Sequence, residues 1–357
     1  MFHWETKKMT EKDLHGLVAS LSGSEKVPET VWRSLLSVDG CGRDELAVMA
    51  RRVTEENFGK GVYVRALIEI SSYCKNNCLY CGLRSSNRAT VRYRLTKEQV
   101  LECCREGASL GFNTFVLQGG EDPLQDDAWL ADVVSSIKDE FPSKAVTLSV
   151  GERSENGYAM LRSAGADRYL LRHETACEKH YSLLHPAVMS AGRRKHCLQV
   201  LKELGFQIGG GMMVGSPGQG IDELVADLMF LDALKPAMIG IGPFIPANGT
   251  PFAGEPSGSV DMVLLLISLL RLRFPKALIP ATTALATLCA DGTERGVLAG
   301  ANVVMPNLTP RMYAGKYTIY NDKKCCDSES ARQLDVLEKR LKAIDRSIDY
   351  SRGDYII

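Results

Sequence analysis

Three cysteines lie close together in the chain, Cys74, Cys78 and Cys81, directly after a strand-like run at residues 64–70. A structural zinc site or an ordinary iron–sulfur cluster uses four protein ligands, whereas a catalytic metal site keeps one coordination position open. Spacings of four and three residues allow one loop to hold three corners of a [4Fe–4S] cluster. The triad therefore predicts a cluster whose fourth iron binds something that is not protein.

A zinc site completed by a fourth ligand from elsewhere is the alternative interpretation. The chain has eleven cysteines and six histidines, so a fourth ligand is available. However, no second Cys-x2-Cys pair is present to complete a four-cysteine zinc signature. The open cluster is therefore favoured, and a zinc module or a non-catalytic cluster carrier is the alternative from a different class of protein.

Composition limits the kind of partner that the chain can have. Its 357 residues include 43 basic and 43 acidic side chains, so its charge points to neither nucleic acid nor a membrane surface. The longest apolar run, residues 262–270, is too short to cross a bilayer, and the amino terminus lacks the apolar core of a secretory signal. An odd number of scattered cysteines fits a reducing compartment, and we expect a cytoplasmic protein.

Short apolar runs alternate with amphipathic segments over most of the chain, which is the pattern of parallel βαβ units. Their number predicts an α/β protein with a (βα)8 TIM barrel. The candidate strands are residues 65–71, 114–118, 145–149, 168–172, 207–214, 238–241, 278–281 and 302–305. We expect three regions: an N-terminal helical extension at 1–58, the barrel at 59–313, and a C-terminal helical tail at 314–357 that packs on the barrel.

The residues that stand out chemically fall at the ends of these candidate strands. In an α/β barrel the carboxyl ends of the strands carry the active site, so these residues should meet in one cavity. They are Cys74, Gly120, Ser149, Glu174, Gly215, Pro243, Thr282 and Pro306.

The cluster loop and the Gly-Leu-Arg that follows it resemble the corresponding segment of radical S-adenosylmethionine (SAM) enzymes. Other segments are similar to the HydE family of [FeFe]-hydrogenase maturases, and they occur in the same order from about residue 60 to about residue 313. These segments are residues 116–123, 165–175, 240–246 and 279–284. The triad alone identifies only the superfamily, whereas Arg-His-Glu-Thr at 172–175 and Pro-Ala-Thr-Thr at 280–283 are much more specific.

This resemblance implies reductive cleavage of SAM to a 5′-deoxyadenosyl radical during assembly of the two-iron subcluster of [FeFe]-hydrogenase. It implies one [4Fe–4S] cluster and SAM as cofactors. The implied substrate is a small molecule or an organometallic complex, in this family a cysteine-bound iron carbonyl cyanide complex. The implied partners are a reductant such as ferredoxin or flavodoxin and the maturases HydG and HydF. A biotin synthase-like or methylornithine synthase-like enzyme acting on an amino-acid-like substrate is the alternative within the superfamily.

The resemblance also assigns roles to individual residues. The cluster ligands are Cys74, Cys78 and Cys81, and Tyr313 lies close to the substrate. The residues assigned to SAM are Gln118, Gly119, Gly120, Glu121, Glu174, Arg194 and Met213. The residues assigned to the substrate are Thr147, Ser149, Arg172, Thr282 and Thr283.

Ordinary structural roles are the alternative for each of these assignments. The glycines could form a strand-to-helix turn, and the charges at Arg172 and Glu174 could form a structural ion pair. Inward hydroxyl groups could bond one another, Met213 could be core filling, and Tyr313 could be a surface ring. Because Arg193 adjoins Arg194, the choice between these two arginines rests on the alignment with the family.

One departure from the family bears on the number of clusters. Some HydE proteins hold a second cluster with three C-terminal cysteines, whereas this chain has only Cys325 and Cys326 in that region. Adjacent thiolates cannot reproduce the spacing of three ligands. We therefore expect one cluster, and we expect the remaining cysteines to be buried as small hydrophobic residues.

Replacing Cys78 by alanine removes one of three cluster ligands and is expected to abolish SAM cleavage while the barrel stays folded. The Cys74→Ala and Cys81→Ala variants should behave in the same way, as measured by 5′-deoxyadenosine formation. Cys325→Ala and Cys326→Ala serve as controls and should keep the iron content of the parent. Full activity of the Cys78→Ala protein would refute the ligand assignment, and iron lost from either control would indicate a second cluster.

Overall fold

The protein is described by a computed structural model that covers residues 9–23, 25–324 and 330–355. Eleven strands are present in these residues: β1 (Gly61–Val64), β2 (Ala66–Ser71), β3 (Thr114–Gly119), β4 (Ala145–Ser149), β5 (Arg168–Leu170), β6 (Gln207–Gly210), β7 (Met213–Val214), β8 (Met238–Ile239), β9 (Gly242–Pro243), β10 (Val303–Val304) and β11 (Ser347–Asp349). The described helices number fourteen: α1 (Glu11–Ala19), α2 (Glu29–Leu36), α3 (Gly40–Phe58), α4 (Lys97–Ser109), α5 (Asp127–Glu140), α6 (Glu155–Ser163), α7 (Glu178–Leu184), α8 (Ala191–Glu203), α9 (Ile221–Leu234), α10 (Val260–Arg273), α11 (Thr283–Leu288), α12 (Gly292–Leu298), α13 (Arg311–Ala314) and α14 (Leu334–Ala343).

Parallel strands form a barrel at the centre of the molecule. Six of them pair in the order β2-β3-β4-β5-β6-β8. Single parallel bridges continue the ring, from Met238 to Leu278, from Pro280 to Val303 and from Asn307 back to Leu67. The strands are buried on both sides, as parallel strands covered by helices usually are. The α/β barrel class predicted from the sequence is confirmed; seven of the eight predicted runs contain a strand, and residues 278–281 contribute only isolated bridges at Leu278 and Pro280.

The fifth and sixth predicted strands are shorter than the sequence suggested. Strand β6 ends at Gly210, and the chain bends at Gly211, whose φ is +154°. A Cβ atom at Gly211 would lie 1.9 Å from the carbonyl oxygen of Gly240, so only glycine fits this crossing. Beyond the bend, β7 and β9 pair as a separate two-stranded sheet. The prediction of one continuous strand at residues 207–214 is therefore wrong at its carboxyl end.

The N-terminal helices lie on the outside of the barrel, with α3 against α10 and α2 against α9. Arg273 fixes the segment that precedes α2. Its guanidinium forms an ion pair with Asp232 at 2.5 Å and donates to the carbonyl oxygens of Leu21, Gly23 and Glu25. Because this arginine is buried, these contacts satisfy a charge that would otherwise be costly there.

The C-terminal part of the chain reaches both ends of the barrel. Residues 314–324 run across the carboxyl end, where the Gly82 amide donates to the carbonyl oxygen of Ile319. After α14, strand β11 pairs with β1, and the following residues close the amino end. There the fully buried Arg168 donates to the carbonyl oxygens of Arg352 and Gly353 and pairs with Asp354 at 2.7 Å. The amino end of the barrel is therefore filled by protein.

None of the helices in the described part of the chain combines the length and the apolar character needed to cross a membrane.

Candidate active site

The three cysteines of the triad lie in the loop that follows β2. The loop is closed at its base, because Ser71 forms an antiparallel bridge with Arg94 and the amide of Leu95 donates to the carbonyl oxygen of Ile70. The amide of Lys75 donates to the carbonyl oxygen of Glu121, which ties the start of the loop to the segment after β3. The loop is thus held at the carboxyl end of the barrel, as the sequence predicted for the cysteines.

Burial changes the acidity of the three thiols. It raises the pKa of Cys74, and it raises the pKa of Cys81 to about 12. Burial, followed by the neighbouring Cys81 and Cys74, also raises the pKa of Cys78. Three thiolates cannot coexist in such a place without a cation to compensate them. The site is therefore suited to a positively charged metal group that binds all three sulfurs.

The separation of the sulfurs argues against a zinc ion. The three Sγ atoms do not all lie within 4.8 Å of one another. Tetrahedral zinc, with bonds of about 2.3 Å, requires sulfurs closer than this, about 3.8 Å apart. In a cubane cluster each thiolate binds a different iron, so the sulfurs stay further apart. Among the described residues, the group that meets the short spacing is Glu11, His15 and Glu45, on the N-terminal helices.

Two histidines, His180 and His185, have the spacing of the histidine half of a zinc signature, which the sequence reasoning overlooked. Their hydrogen bonds give both a different role. His180 Nε2 lies 3.1 Å from the carbonyl oxygen of Pro217. His185 Nδ1 lies 3.0 Å from the carbonyl oxygen of Tyr181, so its Nε2 accepts from the Tyr80 hydroxyl at 3.2 Å. Burial lowers the pKa of His185 to about 4, so its ring is neutral.

Gly120, after β3, touches the backbone of the cysteine loop. A Cβ atom at this position would lie 2.2 Å from the Tyr73 carbonyl oxygen and 2.7 Å from Cys74 Cβ. Glycine is therefore required by the approach of two chain segments, and its neighbour Gly119 pairs with Ser71 in the sheet. The Glu121 carboxylate contacts the segment after β4, since its Oε1 accepts from the amide of Glu152 at 2.8 Å.

Glu174, after β5, has an unusual backbone. Its φ is +63°, a left-handed conformation that costs a residue other than glycine of order 1 kcal/mol or more. Neighbouring strands impose it, because the Glu174 amide donates to Gly211 and its carbonyl oxygen accepts from Met213. Its carboxylate accepts from Arg172 Nη2 at 2.9 Å, while Arg172 Nε is buried without a partner. Strain of this kind usually accompanies a functional role.

The side chain of Arg194, on α8, is buried, whereas that of Arg193 is largely exposed, with its Nε 2.9 Å from Glu152 Oε2. Arg194 Nε lies 2.7 Å from Glu152 Oε1, and both side chains are 10% exposed. The Arg193 side chain is 63% exposed. Arg194 Nη1 also donates to the carbonyl oxygen of Arg172 at 3.4 Å, which connects it to the end of β5. These positions favour Arg194 over Arg193 as the arginine that contacts SAM.

Met213 belongs to a small apolar cluster beside the cysteine loop. The cluster is formed by Leu184, Met213 and Phe244, with Tyr80 and Phe252 packed against it. In the sequence, Tyr80 lies between the predicted metal ligands Cys78 and Cys81, and its hydroxyl forms a hydrogen bond with His185. This surface excludes water and offers a flat apolar contact next to the loop.

Thr147 and Ser149 lie on the same side of β4, at different depths in the barrel. Thr147 is buried with its hydroxyl unpartnered, and it lines a small internal cavity of about 20 Å³ together with Arg65. Arg65 is also buried, it donates to the Gly353 carbonyl oxygen, and its Nε has no partner. Ser149 lies at the end of β4, opposite Gln118 of β3. A second unpartnered hydroxyl, that of Thr282, lies at the start of α11, followed by Thr283.

Tyr313 is in α13, and its ring stacks on Tyr93 with 4.9 Å between the ring centroids. The sequence reasoning did not single out Tyr317, which is buried and whose hydroxyl accepts from Gln118 Nε2 at 3.4 Å. The one feature of the sequence that could have identified Tyr317 is its position four residues after Tyr313. Tyr317 therefore reaches the residues of the barrel interior.

A buried ion pair between Glu69 and Lys323 was also missed. Glu69 of β2 points into the barrel, where Lys323 Nζ lies 2.6 Å from its Oε1 and Asn307 Nδ2 donates to its Oε2. Burial raises the pKa of Glu69. The sequence could not pair a strand residue with a lysine 254 positions away. This contact fastens residues 314–324 over the carboxyl end of the barrel.

A cavity of about 550 Å³ lies beside residues 314–323, and none of the predicted site residues lines it. It is lined by polar side chains of that segment and of the loop around Thr90. This cavity is therefore separate from the triad, and the buried unpartnered polar atoms and the strained Glu174 indicate that the candidate site lies in the barrel interior.

The Gly120→Ala variant is expected to displace the cysteine loop, because the added methyl group meets backbone atoms that cannot move aside cheaply. After anoxic reconstitution, the iron bound per chain should fall well below that of the parent protein. Gly192→Ala is the matched control, since a Cβ atom there meets nothing within 4 Å. If Gly120→Ala binds iron as the parent does, the close approach does not position the loop.

Comparison with known proteins agrees with this geometry. The profile of the radical SAM superfamily matches residues 68–231. HydE of Thermotoga maritima, an [FeFe] hydrogenase maturase subunit, is 42% identical over 88% of this chain and 90% of that protein. The 3-methylornithine synthase of Methanosarcina barkeri is 32% identical over 78% of this chain and 79% of that protein.

Solved structures agree at the level of the fold. A crystal structure of methylornithine synthase has a TM-score of 0.80 at 27% identity and covers 94% of this chain and 98% of that one. The maturase HydG has a TM-score of 0.81 at 22% identity, covering 96% of this chain and 77% of that one. The extent of the likeness to the Thermotoga protein shows the family. The chain belongs to the HydE family of the radical SAM superfamily.

Proposed function

We propose that this chain cleaves SAM reductively and acts in the maturation of [FeFe]-hydrogenase, on a cysteine-bound iron carbonyl cyanide complex. The observation that carries the proposal is the set of three thiols at the carboxyl end of the barrel, next to a strained glutamate and a buried arginine. The family supplies the cofactors, a [4Fe–4S] cluster and SAM. When bound, these together supply a 5′-deoxyadenosyl radical.

The residues of the site fit both cofactors. Cys74, Cys78 and Cys81 offer three soft ligands, and a bound metal cation would stabilise them as thiolates against the burial that raises their pKa values. Gly120 keeps the neighbouring backbone close enough for a ligand that sits against the loop. Gln118, Gly119 and Glu121 surround the same place, with Glu121 holding Lys75 of the loop at 3.3 Å.

The two ion pairs orient the charged parts of SAM. Glu174 accepts from Arg172 on one side, which leaves carboxylate lone pairs for ribose hydroxyls or for the cationic sulfur. Arg194 has donors beyond those facing Glu152, and these suit the SAM carboxylate. Met213 and its apolar neighbours cover the adenosine and exclude water from the reaction.

The substrate lies deeper in the barrel. Arg172, with its unpartnered Nε, faces the anionic groups of the complex, together with the unpartnered hydroxyls of Thr147 and Thr282. Ser149 and Thr283 lie at the same end of the barrel, and Tyr313 lies nearby at the rim. Buried polar atoms without partners are costly in an apolar interior, so a ligand that pairs them binds with a clear preference.

The reductant and the other maturases complete the proposed setting. A ferredoxin or flavodoxin supplies the electron, and HydG and HydF are the proposed neighbours in the assembly sequence. The cytoplasm is the proposed compartment, since free thiols and a reduced cluster require a reducing environment.

Arg194→Lys is expected to weaken SAM binding roughly 10-fold, because an ammonium group replaces a forked pair of donors to a carboxylate. The dissociation constant should be measured by titrating SAM into the reconstituted protein. Arg193→Lys is the matched control, since this largely exposed side chain contacts the other carboxylate oxygen of Glu152 and makes no proposed contact with SAM; its dissociation constant should equal that of the parent. Equal affinities in the two variants would remove Arg194 from the SAM site.

The proposal is tested by reconstitution under anoxic conditions, reduction with dithionite and an assay for 5′-deoxyadenosine, with and without the iron complex. Product is expected in both cases, and the complex should be consumed when it is present. In the native host, deletion should abolish hydrogenase activity alone. A protein with a confirmed four-iron cluster that forms no 5′-deoxyadenosine is not a radical SAM enzyme, and loss of a different biosynthetic product would favour the methylornithine synthase-like alternative.

A further inference from the structure

A single guanidinium joins the two flanks of the cysteine loop. Arg92 Nη1 donates to the carbonyl oxygens of Ser72 and Leu83, and its Nη2 donates to those of Arg84, at 2.8 Å, and Asn87, at 3.2 Å. Ser72 lies just before the first ligand of the triad, and the other three acceptors lie just after the last. Four carbonyl groups from both sides of the metal site therefore converge on one side chain.

The position of Arg92 is itself fixed by the base of the loop. Its neighbour Tyr93 exchanges hydrogen bonds with Ser72: the Ser72 amide donates to the Tyr93 carbonyl oxygen at 3.1 Å, and the Tyr93 amide donates to Ser72 Oγ at 2.8 Å. These bonds fix the backbone next to Arg92, and the planar fork of the guanidinium limits the entropy lost per hydrogen bond that it forms.

Within the described part of the chain, no acidic side chain compensates the charge of Arg92. No described carboxylate forms an ion pair with it, whereas Arg94, two residues on, pairs with Asp122 at 2.6 Å. The two arginines differ, therefore, in that Arg92 contacts both flanks of the ligand loop and has no carboxylate partner among the described residues, whereas Arg94 has one.

We propose that Arg92 is a positioning residue for the iron–sulfur cluster, which holds both flanks of the ligand loop and keeps a positive charge beside the cluster. Reduction transfers one electron from an external one-electron donor to the cluster, so the site gains one negative charge. A cation next to the loop stabilises this reduced form and raises the midpoint potential. The inference requires only that a cluster binds the triad, and it does not depend on the identity of the substrate.

Two substitutions separate the two effects. Arg92→Lys keeps the charge but offers one compact group of three donors in place of the planar fork, whereas Arg92→Gln removes the charge as well. Arg88→Gln is the matched control, since Arg88 is exposed on the same loop and loses the same charge. Thermal unfolding of each protein without iron verifies that the barrel is folded.

Iron release to a chelator should be roughly 10-fold faster for Arg92→Lys and for Arg92→Gln than for the parent, as for other losses of support around metal ligands. In the iron-free Arg92→Lys protein, amide hydrogen exchange over residues 72–87 should be faster. In a redox titration followed by electron paramagnetic resonance, Arg92→Gln should shift the midpoint potential downwards, with Arg92→Lys close to the parent. The control should match the parent throughout.

If iron release and amide hydrogen exchange in Arg92→Lys are as slow as in the parent, the positioning role is wrong. A midpoint potential for Arg92→Gln equal to that of Arg92→Lys, or a shift of the same size in Arg88→Gln, would overturn the role of the charge. If Arg92→Gln binds no cluster at all, the release rate and hydrogen exchange of Arg92→Lys decide the positioning role, and its potential must equal that of the parent.

Discussion

Parallel pairing of the barrel strands is the constraint on which the site depends. Because all strands run in one direction, the loops that follow β2, β3, β4 and β5 leave the same end of the barrel. Residues far apart in the chain, such as Cys74 and Glu174, meet there for this reason. The close approach of Gly120 to the Tyr73 backbone then sets how near the second loop lies to the first. The opposite end is closed by protein around Arg168, so the cavity opens on one side.

Buried charges at this end are paired within the protein and also keep some donors free. Arg172 contacts Glu174, and Arg194 contacts Glu152, so these residues do form the ion pairs that a purely structural role would give them. Such a role does not account for the unpartnered Arg172 Nε. Under the proposed function a ligand pairs this atom and offsets the cost of its burial.

The sequence predicted the barrel class and the location of the triad, because apolar periodicity and ligand spacing are local signals. It could not predict the bend at Gly211, which depends on contact with another strand. Nor could it reveal the pairing of Glu69 with Lys323 or the burial of Tyr317, since these follow from how the segment after α13 crosses the barrel. Cys325 and Cys326, on which the prediction of a single cluster rests, lie outside the described residues.

The central claim is that three thiolates leave one iron open for the methionine part of SAM. Electron–nuclear double resonance of the reduced protein tests it most directly, with SAM labelled by 15N in the amino group or by 17O in the carboxylate. The account predicts hyperfine coupling of the cluster to both labels, because both atoms bind the same iron. Absence of coupling to either label at saturating SAM, in a protein with a confirmed four-iron cluster, would contradict it.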